Sequence, residues 1–459
     1  MGSTSIDAVV GILRQRFGPL VDTGAEMRRQ HANTMSWHES QPPDVVVFAQ
    51  STDDVADVVR IAAAHRVPVV AFGAGSSLEG HVNAPLGGIS LDLARMDRII
   101  EVNAGDLDAT VEAGVTRVGL NSHLRDQGLF FAVDPGAEHA TLGGMAATRA
   151  SGTNAVRYGT MRENVVSVRA VLADGRIVRT SRRARKSAAG YDLTRLLVGS
   201  EGTLGIITEL TVRLHGIPEC VIAAVAPFAT LAGAAQATMT AIQFGLAVAR
   251  VELLDPLQIS AVNRHAGLTL AERPTLFVEF HGSGPAVASA AEAFQELAMD
   301  NGALGFETAV GEDERRRLWK ARHDAYWATR AAWPGRLTLA TDVCVPISRL
   351  AECVAETEAD IARLGLTSPI VGHVGDGNFH ATPVVDPANP AERAAVEEFL
   401  DRLAERAIAM DGTCTGEHGV GQGKRKYLKR ELGEEGVDLM RSIKAALDPD
   451  NILNPGKIV

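Results

Sequence analysis

The chain has 459 residues, of which 46% are hydrophobic and 22% charged, and its formal net charge is −11. That length exceeds one ordinary domain and predicts two or three. The acidic balance argues against nucleic acid as a partner, because a phosphate backbone calls for a basic surface; a small anionic substrate needs only a local cationic pocket and stays open. The four cysteines, Cys220, Cys344, Cys353 and Cys414, form no CxxC pair, so neither a disulfide framework nor a thiolate zinc site is indicated. Residues 1–7 are polar and lack a basic region ahead of an apolar core, and no apolar run approaches the roughly 20 residues that span a bilayer. A cytoplasmic location is expected, with peripheral membrane contact left open.

In chain order, a β-α-β unit is predicted over 44–92. Val45–Phe48 forms a buried strand, and Ser51-Thr52-Asp53-Asp54 starts a helix, with a hydroxyl to cap and acids in the first turn. Val55, Val58, Val59, Ala62 and Ala63 then recur at helical spacing. A strand from Val67 to Ala71 runs into Gly73-Ala74-Gly75-Ser76-Ser77. Strands follow at Ile89–Asp92, Ile99–Val102 and Ala109–Ala113, and a helix near Val118–Leu124. Val168–Leu172 and Arg176–Arg179 flank the hairpin signature Asp174-Gly175, and Ile206–Leu214 reads as a strand. From about 220 to 410 the pattern changes to strands (Cys220–Val225, Ala249–Leu254, Thr275–Phe280, Leu337–Val343) and longer helices over 284–299, 312–332, 348–363 and 390–409. This reads as a second, α+β domain. One more helix begins near 434.

The loop Gly73-x-Gly75-Ser76-Ser77 follows a strand, where small residues let backbone N–H groups approach an anion. It lacks the G-x-G-x-x-G and helix of a nicotinamide site, and an ordinary turn is the alternative. Three further small-residue clusters favour a ligand. They are Asp134-Pro135-Gly136 with Thr141-Leu142-Gly143-Gly144, then Ser151-Gly152 through Tyr158-Gly159, then Gly199-Ser200-Glu201-Gly202-Thr203-Leu204-Gly205-Ile206-Ile207. Together they suit the walls around one long, flat ligand. In motif and order these blocks resemble the FAD-binding domain of the vanillyl-alcohol oxidase family (the PCMH-type FAD domain) over roughly residues 40–217. The resemblance implies FAD contacts at Gly73, Gly75, Ser76, Ser77, Pro135, Gly136, Thr141, Gly143, Gly144, Ser151, Gly152, Tyr158, Gly159, Glu201, Gly205 and Ile207. His81 does not match a known covalent linkage, so the FAD is expected to be non-covalent.

The stretch Gly372-His373-Val374-Gly375-Asp376-Gly377-Asn378-Phe379-His380 predicts a hairpin turning on Asp376-Gly377. In that register His373 faces His380, with Cβ atoms about 4.5–5.5 Å apart, a spacing at which two imidazoles can chelate one divalent ion. Gly416-Glu417-His418-Gly419 offers a third ligand in Glu417, giving a two-histidine, one-carboxylate site with open positions for substrate. His418 is the candidate general base, since a histidine's ordinary pKa of roughly 6.5 suits proton transfer at neutral pH. An exposed Glu-His pair in a glycine-rich turn is the alternative.

These segments, with Thr341-Asp342-Val343-Cys344-Val345-Pro346 and the closing Asn454-Pro455-Gly456-Lys457, resemble FAD-linked oxidases of the D-lactate dehydrogenase (cytochrome) group, which also contains D-2-hydroxyglutarate and glycolate dehydrogenases. The resemblance implies an α+β fold, in which a two-subdomain FAD domain is joined to a cap domain with an antiparallel sheet, and the tail returns to the FAD domain to bring Asn454 to the flavin. The expected divisions are 1–42 (helix and loop), 43–217 (FAD domain), 218–425 (cap) and 426–459 (tail). It further implies zinc or manganese at His373, His380 and Glu417, and a substrate carboxylate held by Arg322 of Leu318-Trp319-Lys320-Ala321-Arg322. The function implied is oxidation of a D-2-hydroxy acid, D-lactate foremost, with hydride passing to flavin N5 while metal and His418 activate the 2-hydroxyl. Thr341, where dicarboxylate-accepting relatives often carry lysine, weakens the D-2-hydroxyglutarate reading. A glycolate oxidase FAD subunit and a catalytically silent flavin-binding or assembly protein are the alternatives. The electron acceptor is expected to be a cytochrome, a quinone or an electron-transfer flavoprotein, and a homodimer is left open.

Overall fold

The structure is a computed structural model that describes residues 6–32, 38–309 and 311–459. The parts of the expected N-terminal helix and loop that fall on 1–5 and 33–37 lie outside the described residues. The chain divides into two compact units: Met1–Ser151, Gly159–Ile217 and Glu417–Val459 form the first, Gly152–Tyr158 and Pro218–Gly416 the second.

The first unit holds two sheets. Val45–Phe48, Ile89–Asp92 and Val69–Phe72 pair in parallel, with Val21–Asp22 antiparallel at one edge. Ser51 caps the helix Thr52–His65 by accepting the Asp54 N–H at 3.1 Å, as its position ahead of two first-turn acids predicts. That helix buries Val55, Val58, Val59 and Ala62 in the core that also holds Val45, Val69, Ile89 and Leu91. The second sheet is antiparallel and ordered Ile99–Asn103, Asp108–Glu112, Ile206–Arg213, Val165–Val171, Ile177–Arg179. Its last two strands meet at the expected Asp174-Gly175 turn, where Gly175 sits at φ 77°. The tail returns to this unit: Val69 donates to the Ile452 carbonyl at 2.7 Å and Asn454 donates to Val69 at 2.8 Å.

The second unit is built on a seven-stranded antiparallel sheet, ordered Glu307–Thr308, Cys220–Pro227, Thr275–Gly282, Val248–Leu254, Ile370–Gly372, Asn378–Ala381, Val343–Cys344. Phe280, Phe294, Phe379 and Phe399 fill its main core. The expected α+β class, the antiparallel sheet and the returning tail are all observed. Two predicted elements are not continuous. The helix expected over 312–332 is two, Glu312–His323 and Ala325–Ala332, because the second turns to pack on the helix Pro256–Ala266, where Gln258 donates to the Ala325 carbonyl at 3.0 Å. The strand expected over 337–343 is two short ones, Leu337–Thr338 and Val343–Cys344. Between them Thr341 bonds to the neighbouring strand while its own carbonyl accepts from a side chain, His380 Nδ1, at 2.8 Å.

Candidate active site

In the first unit the glycine loops converge as small residues would allow. A Cβ on Gly73 would lie 2.4 Å from Thr141 Oγ1, and one on Gly143 would lie 2.5 Å from the Ala113 Cβ. Gly75 adopts φ 64°, which a side chain would resist. Thr141 caps the short helix Leu142–Thr148 through the Gly144 N–H. A cavity of about 500 Å³ is lined by Gly73, Ala74, Gly114, Thr116, Gly119 and Thr141, among others. Two of the predicted flavin residues, from separate motifs, thus wall one cavity of the size a cofactor portion needs. Ser76, Ser77, Pro135 and Gly159 are half-buried loop residues, Gly136 is exposed, and Gly205 and Ile207 are buried around the start of a central strand.

Three other predicted flavin residues carry partners the sequence did not reveal. Glu201 is buried and accepts the Val420 N–H at 2.7 Å and the Gly421 N–H at 2.9 Å, with His81 Nε2 at 3.3 Å. Burial pushes its pKa up, but the His81 imidazole and the two N–H bonds hold it below the ordinary glutamate value. Asn454 donates its side-chain amide to the Glu201 carbonyl at 2.7 Å and to the His81 carbonyl at 3.2 Å. Ser151 closes one segment of the first unit; Gly152 and Tyr158 bound a segment of the second, where the Tyr158 hydroxyl meets His281 Nδ1 at 2.8 Å.

The histidine hairpin exists in a different register from the one predicted. Val371 opposes His380 and Ile370 opposes Ala381, so His373 does not face His380 directly. The primed two-residue turns need positive φ at the first central position, and type I′ at both, whereas here only the second, Gly377, has it, at 79°. The chain takes a 3₁₀ turn over Val374–Asp376 instead. Its Gly377 carbonyl accepts from Val345, and a Cβ on Gly377 would lie 2.1 Å from the Val345 oxygen. The displacement is two residues, which preserves the face of the sheet. The two imidazoles therefore still meet, with ring centroids 5.3 Å apart and planes at 84°.

Each imidazole is anchored through Nδ1. His380 Nδ1 lies 2.8 Å from the Thr341 carbonyl, and His373 Nδ1 lies 2.8 Å from Glu252 Oε1. A carbonyl can only accept, so His380 carries a proton on Nδ1, and in the neutral ring this leaves Nε2 as the metal-ligating atom; the Glu252 carboxylate favours the same tautomer at His373. Glu252 was missed at the sequence level. It is fully buried on the strand Val248–Leu254 and also accepts from Arg322, Nε at 2.8 Å and Nη2 at 2.5 Å. Burial raises its pKa, while Arg322 and His373 bring it below the ordinary value. Its signal was an acid inside the apolar run Val251-Glu252-Leu253-Leu254. Asp342, also buried, accepts from Asn378 at 2.7 Å and from Thr415 at 2.8 Å, and so fixes the chain two residues ahead of Glu417. Among the described residues, His373, His380 and Glu417 form one group whose potential ligand atoms all lie within 4.8 Å of one another. Two nitrogens and one carboxylate oxygen suit a divalent ion of the zinc or manganese kind.

Comparison with known proteins agrees with these features. A family model described as FAD linked oxidases, C-terminal domain, matches residues 217–458, and one described as FAD binding domain matches 43–181. The probable mitochondrial D-lactate dehydrogenase of Danio rerio is 50% identical over 100% of this chain and 93% of that protein. The mitochondrial D-lactate dehydrogenase (cytochrome) of Arabidopsis thaliana is 45% identical over 91% of this chain and 73% of that protein. The solved structure of p-cresol methylhydroxylase with substrate bound superposes with a TM-score of 0.84, covering 100% of this chain and 98% of that one at 18% identity, which bears on the fold alone. Both relatives are mitochondrial by name, which overturns the expectation of a cytoplasmic location; that expectation rested on two absences, of a leader pattern in residues 1–7 and of a membrane-length apolar run. No helix among the described residues is long and apolar enough to cross a membrane. With the glycine loops, the buried histidines and both family models in the same order along the chain, this protein belongs to the FAD-linked oxidases and is an FAD-dependent enzyme of the D-lactate dehydrogenase (cytochrome) type.

Proposed function

We propose that the protein oxidises a D-2-hydroxy acid, D-lactate foremost, to the 2-oxo acid, using a divalent ion held by His373, His380 and Glu417. The observation that carries this reading is the pair of buried imidazoles, each anchored at Nδ1, whose ligand atoms and that of Glu417 fall within 4.8 Å. FAD, when bound, supplies a two-electron acceptor for the hydrogen leaving C2. A divalent ion supplies the positive charge that lowers the pKa of a nearby hydroxyl. The glycine loops around Gly73 and Thr141 supply the cavity, and the flavin is proposed to be held non-covalently.

The chain's own groups then divide the remaining work. Arg322 holds the substrate carboxylate. Glu252 engages Nε and one terminal nitrogen, and the remaining N–H donors of the fork are those a second carboxylate would use. His418, adjacent to Glu417, takes the 2-hydroxyl proton. The electron acceptor is proposed to be a cytochrome, after the Arabidopsis relative, with a quinone or an electron-transfer flavoprotein as the other outcomes of an acceptor assay.

The test is anaerobic mixing of the purified, zinc- or manganese-loaded flavoprotein with D-lactate, glycolate and D-2-hydroxyglutarate. D-Lactate is expected to bleach the oxidised-flavin absorbance fastest. The variants His373→Ala and Glu417→Ala should retain FAD but lose the metal and turnover. A colourless protein, or full turnover by a metal-free His373→Ala variant, would overturn the reading.

A further inference from the structure

We propose that Glu201 is a positioning residue for the loop Gly416–Gly421, fixing the backbone that presents Glu417 and His418. The inference rests on the functional reading above, because it is that reading which gives the loop its chemistry. The loop contains Gly416, Gly419 and Gly421, and so has little intrinsic preference for one path. Both oxygens of the Glu201 carboxylate are spent on it: Oε1 accepts from Val420 and Oε2 from Gly421, across 219 and 220 residues of sequence. Val420 is only two residues beyond His418. The loop also lies directly on the carboxylate, since a Cβ on Gly419 would come within 2.7 Å of Glu201 Oε1 and 2.8 Å of His81 Nε2.

Glu201 is itself held rigidly. Its backbone sits at φ 54°, in the left-handed region that a non-glycine residue occupies only when its surroundings require it. Its N–H donates to Ala147 at 2.8 Å and its carbonyl accepts from Asn454 at 2.7 Å. A carboxylate that accepts two backbone N–H groups beside an imidazole keeps its charge despite full burial, and charge-assisted bonds of this kind are the stronger ones. The surrounding motif supplies small residues for a flavin wall, but this one side chain is turned to the loop.

The test compares Glu201→Ala, Glu201→Gln and Gly419→Ala with the wild type. Flavin content is read from visible absorbance, zinc affinity from titration against a chelator, and Val420 and Gly421 from amide hydrogen exchange. Glu201→Ala is expected to keep its FAD, to lose protection at both amides, to bind zinc about 10- to 100-fold more weakly, and to lose kcat more than KM. Glu201→Gln, which can accept only one of the two N–H bonds, should fall between. Gly419→Ala forces a methyl group against the same carboxylate and should reproduce the phenotype with Glu201 present, so it carries the test if Glu201→Ala does not fold. Unchanged zinc affinity, kcat and amide protection in flavin-loaded Glu201→Ala would overturn the proposal. Loss of FAD from all three variants in step with the other changes would also overturn it, making Glu201 a structural residue of the flavin domain. A wild type that takes up no metal would defeat the functional reading instead, and hydrogen exchange and kcat would still decide the role of Glu201.

Discussion

A glutamate with no exposure, midway along the strand Val248–Leu254, would be costly to hold as an anion if it stood alone, by several kcal/mol after relaxation. Glu252 does not stand alone: Arg322 and His373 share its carboxylate. The same contacts orient a candidate metal ligand and the candidate substrate arginine, so their geometry depends on one side chain. Glu252→Gln preserves shape but removes the charge that fixes the His373 tautomer. It is expected to weaken zinc or manganese binding about 10- to 100-fold while leaving the flavin spectrum unchanged; metal titration of the purified variant checks this, and wild-type affinity would contradict it. That His373, His380 and Glu417 come together was legible in the sequence from residue type, although the hairpin spacing gave a register two residues off. The role of Glu252 was not, because its partners lie 70 and 121 residues away and only its place in an apolar run hinted at burial.

Elements were read well where local signals decide them. Ser51 caps its helix as expected, whereas the hairpin at Asp376-Gly377 lost its predicted register to a distant contact, the close approach of Val345 to Gly377. A different cap is open to a pH test. Asp255 caps the helix Pro256–Ala266 by accepting the Gln258 N–H at 2.6 Å, and burial pushes its pKa up to about 7. The folded state therefore binds this proton more tightly than the unfolded chain, whose aspartate titrates near 3.9 or so. Stability from this group falls as pH rises from about 4 to about 7 and stays low above that. Asp255→Asn keeps an acceptor for the helix without a charge to bury. Its melting temperature should gain on the wild type between pH 5 and pH 8. Asp255→Ala lacks the acceptor and should cost about 1 kcal/mol. Parallel curves for the wild type and Asp255→Asn would show that the carboxylate stays ionised.

At the scale of the whole molecule, the chain ends where its first glycine loop begins. Ile452 and Leu453 are buried in the core under the parallel sheet, and Leu453 bridges to Val69 on the strand that runs into Gly73. Asn454 ties the His81 and Glu201 carbonyls together, and the buried Lys457 ammonium donates to the Asn83 carbonyl at 2.7 Å. The likeness of this tail to the family's was readable from Asn454-Pro455-Gly456-Lys457, but these hydrogen bonds cross 253, 373 and 374 residues of sequence and no local pattern encodes them. Residues 452–457 therefore complete the frame of the glycine loop that begins at Gly73. Deleting residues 452–459 removes two core side chains, a sheet pairing and the acceptor and donor groups that hold His81, Asn83 and Glu201. The truncated chain should purify with FAD affinity reduced at least about tenfold, a loss on the order of 1.4 kcal/mol or more, measured by fluorescence titration of added FAD. Asn454→Ala keeps the backbone pairing and should lose less. Undiminished FAD affinity in the truncated chain would mean that the loop's geometry is set without the tail, and the sheet pairing at Val69 would then serve stability alone.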